Sequence, residues 1–393
     1  MTHLLQNLLS RSHILQAVFE PEFFRISNSG DASNLEKLLV GQPHIQVFDA
    51  LQGQLEELLK SHNPSRKFSQ EELQAAITAH LGSTPAGQYG VWVHYPWSGR
   101  LVHILDEKEF VFLRTSRNQY KITPEERDLL ATKKIGVVGL SVGQSVSVTM
   151  AMERLFGEIR LADFDVLELT NLNRIRTGIH NLNLPKAVSV AREIKEIDPF
   201  LKVVCFTDGL TEENMDGFFM DGGKLDLLVE ECDSIDIKIL SRYKARELQV
   251  PVIMEASDRG LLDVERFDLE PDRPILHGLV DGLDPQKLKT LKTSAEKLPY
   301  MLPIVGFDNI SARLKASVPE IGKTITTWPQ LASAVTFGGG LTADVSRRIL
   351  LGHYHRSGRY YVDLEQLVSD SAAGFLDAKP PQVRPAVFEA TVG

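Results

Sequence analysis

Ile135-Gly136-Val137-Val138-Gly139-Leu140-Ser141-Val142-Gly143 decides the fold. An apolar run ending in glycines is how a strand buried in a parallel sheet turns into a helix whose free N–H groups face a phosphate. The next apolar strand, Ile159-Arg160-Leu161-Ala162-Asp163, ends in an acidic residue 24 positions after Gly139, where a ribose hydroxyl would be held. A redox fold that binds a nicotinamide could stop there. This chain goes on to Asn171-Leu172-Asn173-Arg174, Pro185-Lys186 and, after a third apolar strand, Asp233-Ser234. Two cations so placed suit a triphosphate. Arg174 and Lys186 would neutralise charge on the α- and γ-phosphates as a carboxylate attacks the α-phosphorus, and Asp233 would hold Mg²⁺. Lys186 stands at a helix start, where the macrodipole disfavours a cation, so an anionic partner is expected.

Around this stretch, residues 123–279 alternate helix and strand. The pattern predicts an α/β fold with an open, doubly wound, mainly parallel sheet and helices on both faces. Asp233-Ser234 opens a helix from Ile235 to Leu248, while the nearby Glu230 and Glu231 read as a solvated rim. Residues 1–113 read as a smaller N-terminal α+β module. It has a strand at Ile45–Phe48, an amphipathic helix over Ala50–His62, and a capping box at Ser69-Gln70-Glu71-Glu72 opening a second helix to Leu81. Pro96-Trp97-Ser98-Gly99 between two apolar runs predicts a hairpin.

The main domain is expected over 114–368, with a Lys-rich insertion at 280–327 (Lys287, Lys289, Lys292, Lys297) that reads either as a solvated helical face or as a substrate-facing segment. Gly338-Gly339-Gly340 would lead into a helix from Leu341 to Leu351, followed by a strand at Tyr360–Leu364. The tail 369–393, with Pro380, Pro381 and Pro385, reads as a linker.

The order glycine turn, Asp-x-Asp, Asn-Leu-Asn-Arg, Pro-Lys and Asp-Ser resembles the ThiF/MoeB/E1 superfamily of enzymes that activate ubiquitin-like proteins, closely over 114–279 and more loosely over 328–368. The resemblance implies a Rossmann-like adenylyltransferase using ATP and Mg²⁺ to activate a carboxylate as an acyl-adenylate. Its substrate would be the C-terminal glycine of a ubiquitin-like or sulfur-carrier protein, or a small-molecule acid. It implies nucleotide contacts from Gly139, Ser141, Gly143, Asp163, Asp165, Asn171, Asn173, Arg174, Lys186 and Ser234, and a metal at Asp233. Arg114-Thr115-Ser116-Arg117-Asn118-Gln119 resembles the segment that, in relatives, reaches into the ATP site of the other protomer; this gives Arg117 a catalytic role and implies a homodimer. Relatives carry G-x-G-x-x-G, whereas this turn is one residue shorter, with Ser141 near the place of the middle glycine.

Composition narrows the rest. A net charge of −9 argues against a broad nucleic-acid surface, no apolar run reaches membrane length, and the start carries no signal-peptide pattern, so a cytoplasmic protein is expected. Two cysteines, Cys205 and Cys232, are too few for the two Cys-x-x-Cys pairs of a structural zinc site. With Cys232 beside a carboxylate, which opposes thiolate formation, chemistry without an internal thioester is expected. Two other readings stay open: a non-catalytic ATP or AMP sensor, to which the irregular turn points, and an NAD- or FAD-dependent oxidoreductase, which the fold permits.

Overall fold

A computed structural model describes residues 15–369, apart from positions 284, 289, 292 and 293. Two of the insertion's lysines, Lys289 and Lys292, therefore lie outside the described residues, as do the first 14 residues and all but the first residue of the tail. The chain forms two compact units. One runs to Thr132 and adds Ala151–Gly157 and Val188–Lys202; the other takes Lys133–Met150, Glu158–Ala187 and the chain from Val203 onward.

The first unit holds a four-stranded sheet of β1 (Glu22–Phe24), β2 (Gln46–Asp49), β3 (Val91–Tyr95) and β4 (Arg100–Ile104), in the order β1-β3-β4-β2. β3 and β4 form the expected hairpin, and β2 joins β4 in parallel. Helices Leu51–His62 and Gln70–Leu81 bury Leu51, Leu55, Leu58, Leu73 and Ile77 against each other. The capping box at Ser69 and Glu72 forms as expected, each side chain accepting from the other's backbone N–H. Helix Ser29–Gly41, capped by Asn28, was not foreseen: its apolar residues cluster late in the segment and bury only Leu35.

The second unit holds a seven-stranded sheet, adding β5 (Lys134–Val138), β6 (Glu158–Ala162), β7 (Lys202–Phe206), β8 (Leu227–Glu230), β9 (Val252–Ala256), β10 (Leu261–Glu265) and β11 (Gly358–Tyr361). Their order is β11-β10-β9-β8-β5-β6-β7. The pairs β6/β5, β5/β8 and β8/β9 are parallel, while β10 and β11 close one edge antiparallel. The chain order reverses between β5 and β8, and in open α/β sheets ligands bind outside the carboxyl ends of the strands at such a switch point.

Two expected boundaries are corrected; the strand expected over Tyr360–Leu364 spans Gly358–Tyr361, and Leu364 opens a short helix capped by Asp363. The helix expected from Leu341 runs from Ala332 to Leu350 and contains all three glycines. A Cβ on Gly338 would stand 2.2 Å from the Glu255 carboxyl carbon, and one on Gly339 would stand 2.3 Å from Ser145 Oγ. Gly338 and Gly339 are therefore where the helix crosses closely over its neighbours rather than a lead-in to it.

Candidate active site

The turn after β5 is built by backbone geometry. Gly139 has φ +85°, and a Cβ there would lie 2.7 Å from the Glu231 carbonyl oxygen and the Cys232 nitrogen, so only glycine lets the ends of β5 and β8 come together. Asp163, at the end of β6, accepts the Leu140 N–H at 2.7 Å and the Asp165 N–H at 2.8 Å. It is thus a cap for the glycine turn as well as the acidic residue expected near a ribose. Burial pushes its carboxyl up, with Lys186 and the two N–H groups opposing.

Lys186 opens helix Lys186–Ile197 and is only 5% exposed. Its Nζ donates to Asp165 Oδ2 at 2.7 Å and to Ser141 Oγ at 3.3 Å, so the anionic partner expected from its position is here a protein carboxylate. Ser141 serves as an acceptor that holds the lysine over the turn. Asn171 caps its own 3₁₀ turn by accepting the Glu168 N–H, and Asn173 donates to the Gln330 carbonyl while accepting from Arg174. The Arg174 guanidinium is half-buried, and its Nε is buried with no hydrogen-bond partner. Burial lowers its pKa while Asp233 opposes.

Asp233 keeps an opening to solvent but is crowded by protein on its other sides. That crowding raises its carboxyl above the usual range, against Lys238, Arg174 and Lys186. Ser234 N-caps helix Ile235–Glu247 through its backbone alone. Gly143 is the first residue of helix Gly143–Glu153. Arg117, in the other unit, is exposed in the 3₁₀ turn Ser116–Asn118. Its neighbour Arg114 instead points inward to Asp198 and the carbonyls of Ala151 and Met152, which takes it out of any reach toward a second copy.

The rim expected at Glu230 and Glu231 is the main correction. Glu230 is fully buried and accepts from Lys238 Nζ at 2.7 and 3.0 Å, from the Cys232 N–H at 2.9 Å and from Arg242. Burial alone would push its carboxyl up, but the two cations outweigh it and hold it at about 2. Lys238 and Arg242 sit four apart on one face of their helix, which placed them at the end of β8, and that spacing was the missed signal. Arg242 also binds Glu265 at 2.6 Å. Beside this network Ser141, Cys232 and Asp233 open onto a cavity of about 130 Å³, walled by Glu231, Glu255, Met301, Ile304 and Trp328 among others. Burial and then Glu230 push the Cys232 thiol well up, which keeps it a poor nucleophile.

The glycine turn, its capping carboxylate and Lys186 thus lie at the switch point of a doubly wound α/β unit, where ligands bind in such sheets. The chain belongs to the ThiF family, whose model matches residues 115–368. It is 46% identical over 273 residues to "Uncharacterized protein MT1398" of Mycobacterium tuberculosis, an alignment covering 70% of this chain and 38% of that protein. It is 28% identical to the tRNA threonylcarbamoyladenosine dehydratase of Bacillus subtilis, over 39% of this chain and 60% of that one. It is 27% identical to the molybdopterin-synthase adenylyltransferase of Haemophilus influenzae, over 39% and 62%. The chain thus spans less than two thirds of each of these relatives. Among solved structures, the Escherichia coli tRNA N6-threonylcarbamoyladenosine dehydratase with ATP aligns at TM-score 0.45 and 18% identity, over 61% of this chain and 95% of that one. No helix among the described residues is long and apolar enough to cross a membrane.

Proposed function

We propose that the protein is an ATP-dependent adenylyltransferase that activates a carboxylate, either the C-terminus of a small carrier protein or a small-molecule acid. A substrate carboxylate oxygen attacks the α-phosphorus, the bond to the bridging oxygen of the β-phosphate breaks, and pyrophosphate leaves with that electron pair. Lys186 carries the reading: a nearly buried ammonium held over the glycine turn by Asp165 and Ser141. A cation fixed in advance stabilises developing phosphate charge without reorganising during the reaction. Arg174, with its unpartnered Nε, supplies the second positive group.

Asp233 makes no hydrogen bond to the described residues and opens to solvent, which fits a carboxylate that takes a hydrated Mg²⁺. Bound there, Mg²⁺ would neutralise charge on the leaving pyrophosphate. The activity named for the Haemophilus influenzae relative, adenylyl transfer, agrees with this reading. The raised Cys232 thiol favours passing the acyl group to an external nucleophile. Arg117, exposed on its turn, is the residue this reading assigns to the site of a second copy in a homodimer.

Pyrophosphate exchange into ATP, driven by candidate carboxylates, tests the proposal. Exchange by Lys186→Ala at the parent rate would remove that residue from the chemistry. Tight ATP binding with no exchange across a broad carboxylate panel would make the protein a nucleotide-binding module.

A further inference from the structure

Of the carboxylates that line the cavity beside the glycine turn, Asp233 serves the proposed adenylyl transfer and Asp258 accepts from Ser311, which leaves Glu231 and Glu255. Glu255, near the end of β9, is 4% exposed and lines the cavity, and neither of its carboxylate oxygens has a hydrogen-bond partner. Glu231 stands beside it, its Oε1 accepting the Glu255 N–H at 2.9 Å. The charges next to this pair are already matched. Lys238 and Arg242 serve Glu230, Arg242 also serves Glu265, and Arg359 Nε lies 3.2 Å from Asp263. That network sets three cations against three anions, so Glu231 and Glu255 are acids in excess.

Burial alone pushes the Glu255 carboxyl up, and Lys238, which also lines the cavity, is held by Glu230. The fold also makes room for Glu255: any side chain at Gly338 would collide with its carboxyl group. A buried acid that is neither paired nor hydrogen-bonded is costly, and such groups cluster where a ligand supplies what is missing. An organic ammonium with an apolar body, rather than a hydrated metal ion, suits the apolar wall that the cavity also carries. Met301, Ile304, Ile310 and Trp328 give the same cavity an apolar wall, and Ser141 and Asp233 join it to the nucleotide site.

We propose that the molecule whose carboxylate is activated also carries a protonated amine, which Glu255 and Glu231 receive in this cavity while Met301, Ile304 and Trp328 cover its apolar body. The substrate class is thus a small amino carboxylate. The carboxylate end rests on the adenylation reading above; the recognition of an amine does not.

The test is calorimetry on the full chain, with and without ATP, using matched probes: 5-aminopentanoate against pentanoate, β-alanine against propionate, and phenylalanine against 3-phenylpropionate. In at least one pair the amine-bearing member is expected to bind at least tenfold more tightly, the gain typical of a buried charge-assisted hydrogen bond. That preference disappears in Glu255→Gln and in Glu231→Gln, whose unchanged ATP affinity shows that they fold. Equal binding within every pair, no binding of any probe, or a preference that survives both variants overturns the proposal. So does binding of Mg²⁺ alone that is lost in Glu255→Gln. Amine preference without pyrophosphate exchange keeps the amine site and refutes carboxylate activation. Exchange indifferent to the amine does the reverse.

Discussion

Replacing Glu255 with Gln should stabilise the protein, and increasingly so as the pH rises. Burial lifts the Glu255 carboxyl from an ordinary 4.5 to about 8. Between those values the unfolded chain has released its proton while the folded chain keeps it. The folded state therefore binds more protons, and stability falls as pH climbs from about 4.5 to 8, levelling off above. At about 1.4 kcal/mol per pH unit, the full span amounts to roughly 5 kcal/mol at most. Glu231 adds to the contrast, because removing the charge at 255 also eases ionisation of its neighbour and so lowers that neighbour's own cost in the variant. Gln keeps the shape and has no proton to lose. Urea unfolding followed by circular dichroism should show the variant within about 1 kcal/mol of the parent at pH 5 and some 2 to 4 kcal/mol more stable at pH 8.5. A variant destabilised equally at both values, or one that repeats the parent's pH slope, would refute the claim that Glu255 is a buried acid without a cation.

Other substitutions probe the rest of the site. Lys186→Ala and Arg174→Ala should each lower the rate of pyrophosphate exchange by roughly 10²–10³-fold, the loss typical of one preorganised charge donor, while circular dichroism stays that of the parent. Arg242→Ala leaves Glu230 and Glu265 buried without their shared cation, and should cost about 3–5 kcal/mol in denaturant unfolding. Gly139→Ala forces a side chain into the positive-φ turn against the Glu231 carbonyl. It should cost about 1–3 kcal/mol in unfolding and abolish ATP binding measured by calorimetry.

Much of the second unit could be read from spacing. Buried parallel strands are continuous apolar runs, so Lys134–Val138, Glu158–Ala162 and Leu227–Glu230 announced themselves, and the groups that follow them fell at the carboxyl ends where ligands bind. Asp163 and Asp233, which follow two of these strands, stand out as candidates for that reason. The closing helix was misread because three glycines in a row signal a break when only local propensity is weighed. The fold uses Gly338 and Gly339 as close-contact positions, a tertiary reason that no window of sequence contains. Strand β1, three residues long, offers too short a pattern to register.

The same limit explains the carboxylates. Glu230, Glu231 and Asp233 are adjacent acids and look alike in the sequence, yet the fold gives them three different fates. Strand alternation turns Glu230 to the side where Lys238 and Arg242 arrive from the following helix, and the pairing holds its carboxyl at about 2. Glu231, one residue on, is pushed the other way by burial and by Glu255, which outweigh the pull of Lys238. Asp233 has left the strand and reaches solvent at the turn. Charge type is written in the sequence, but charge compensation depends on which distant residues the sheet brings alongside, so the buried acids left unmatched could be identified only once β8 and β9 were seen side by side.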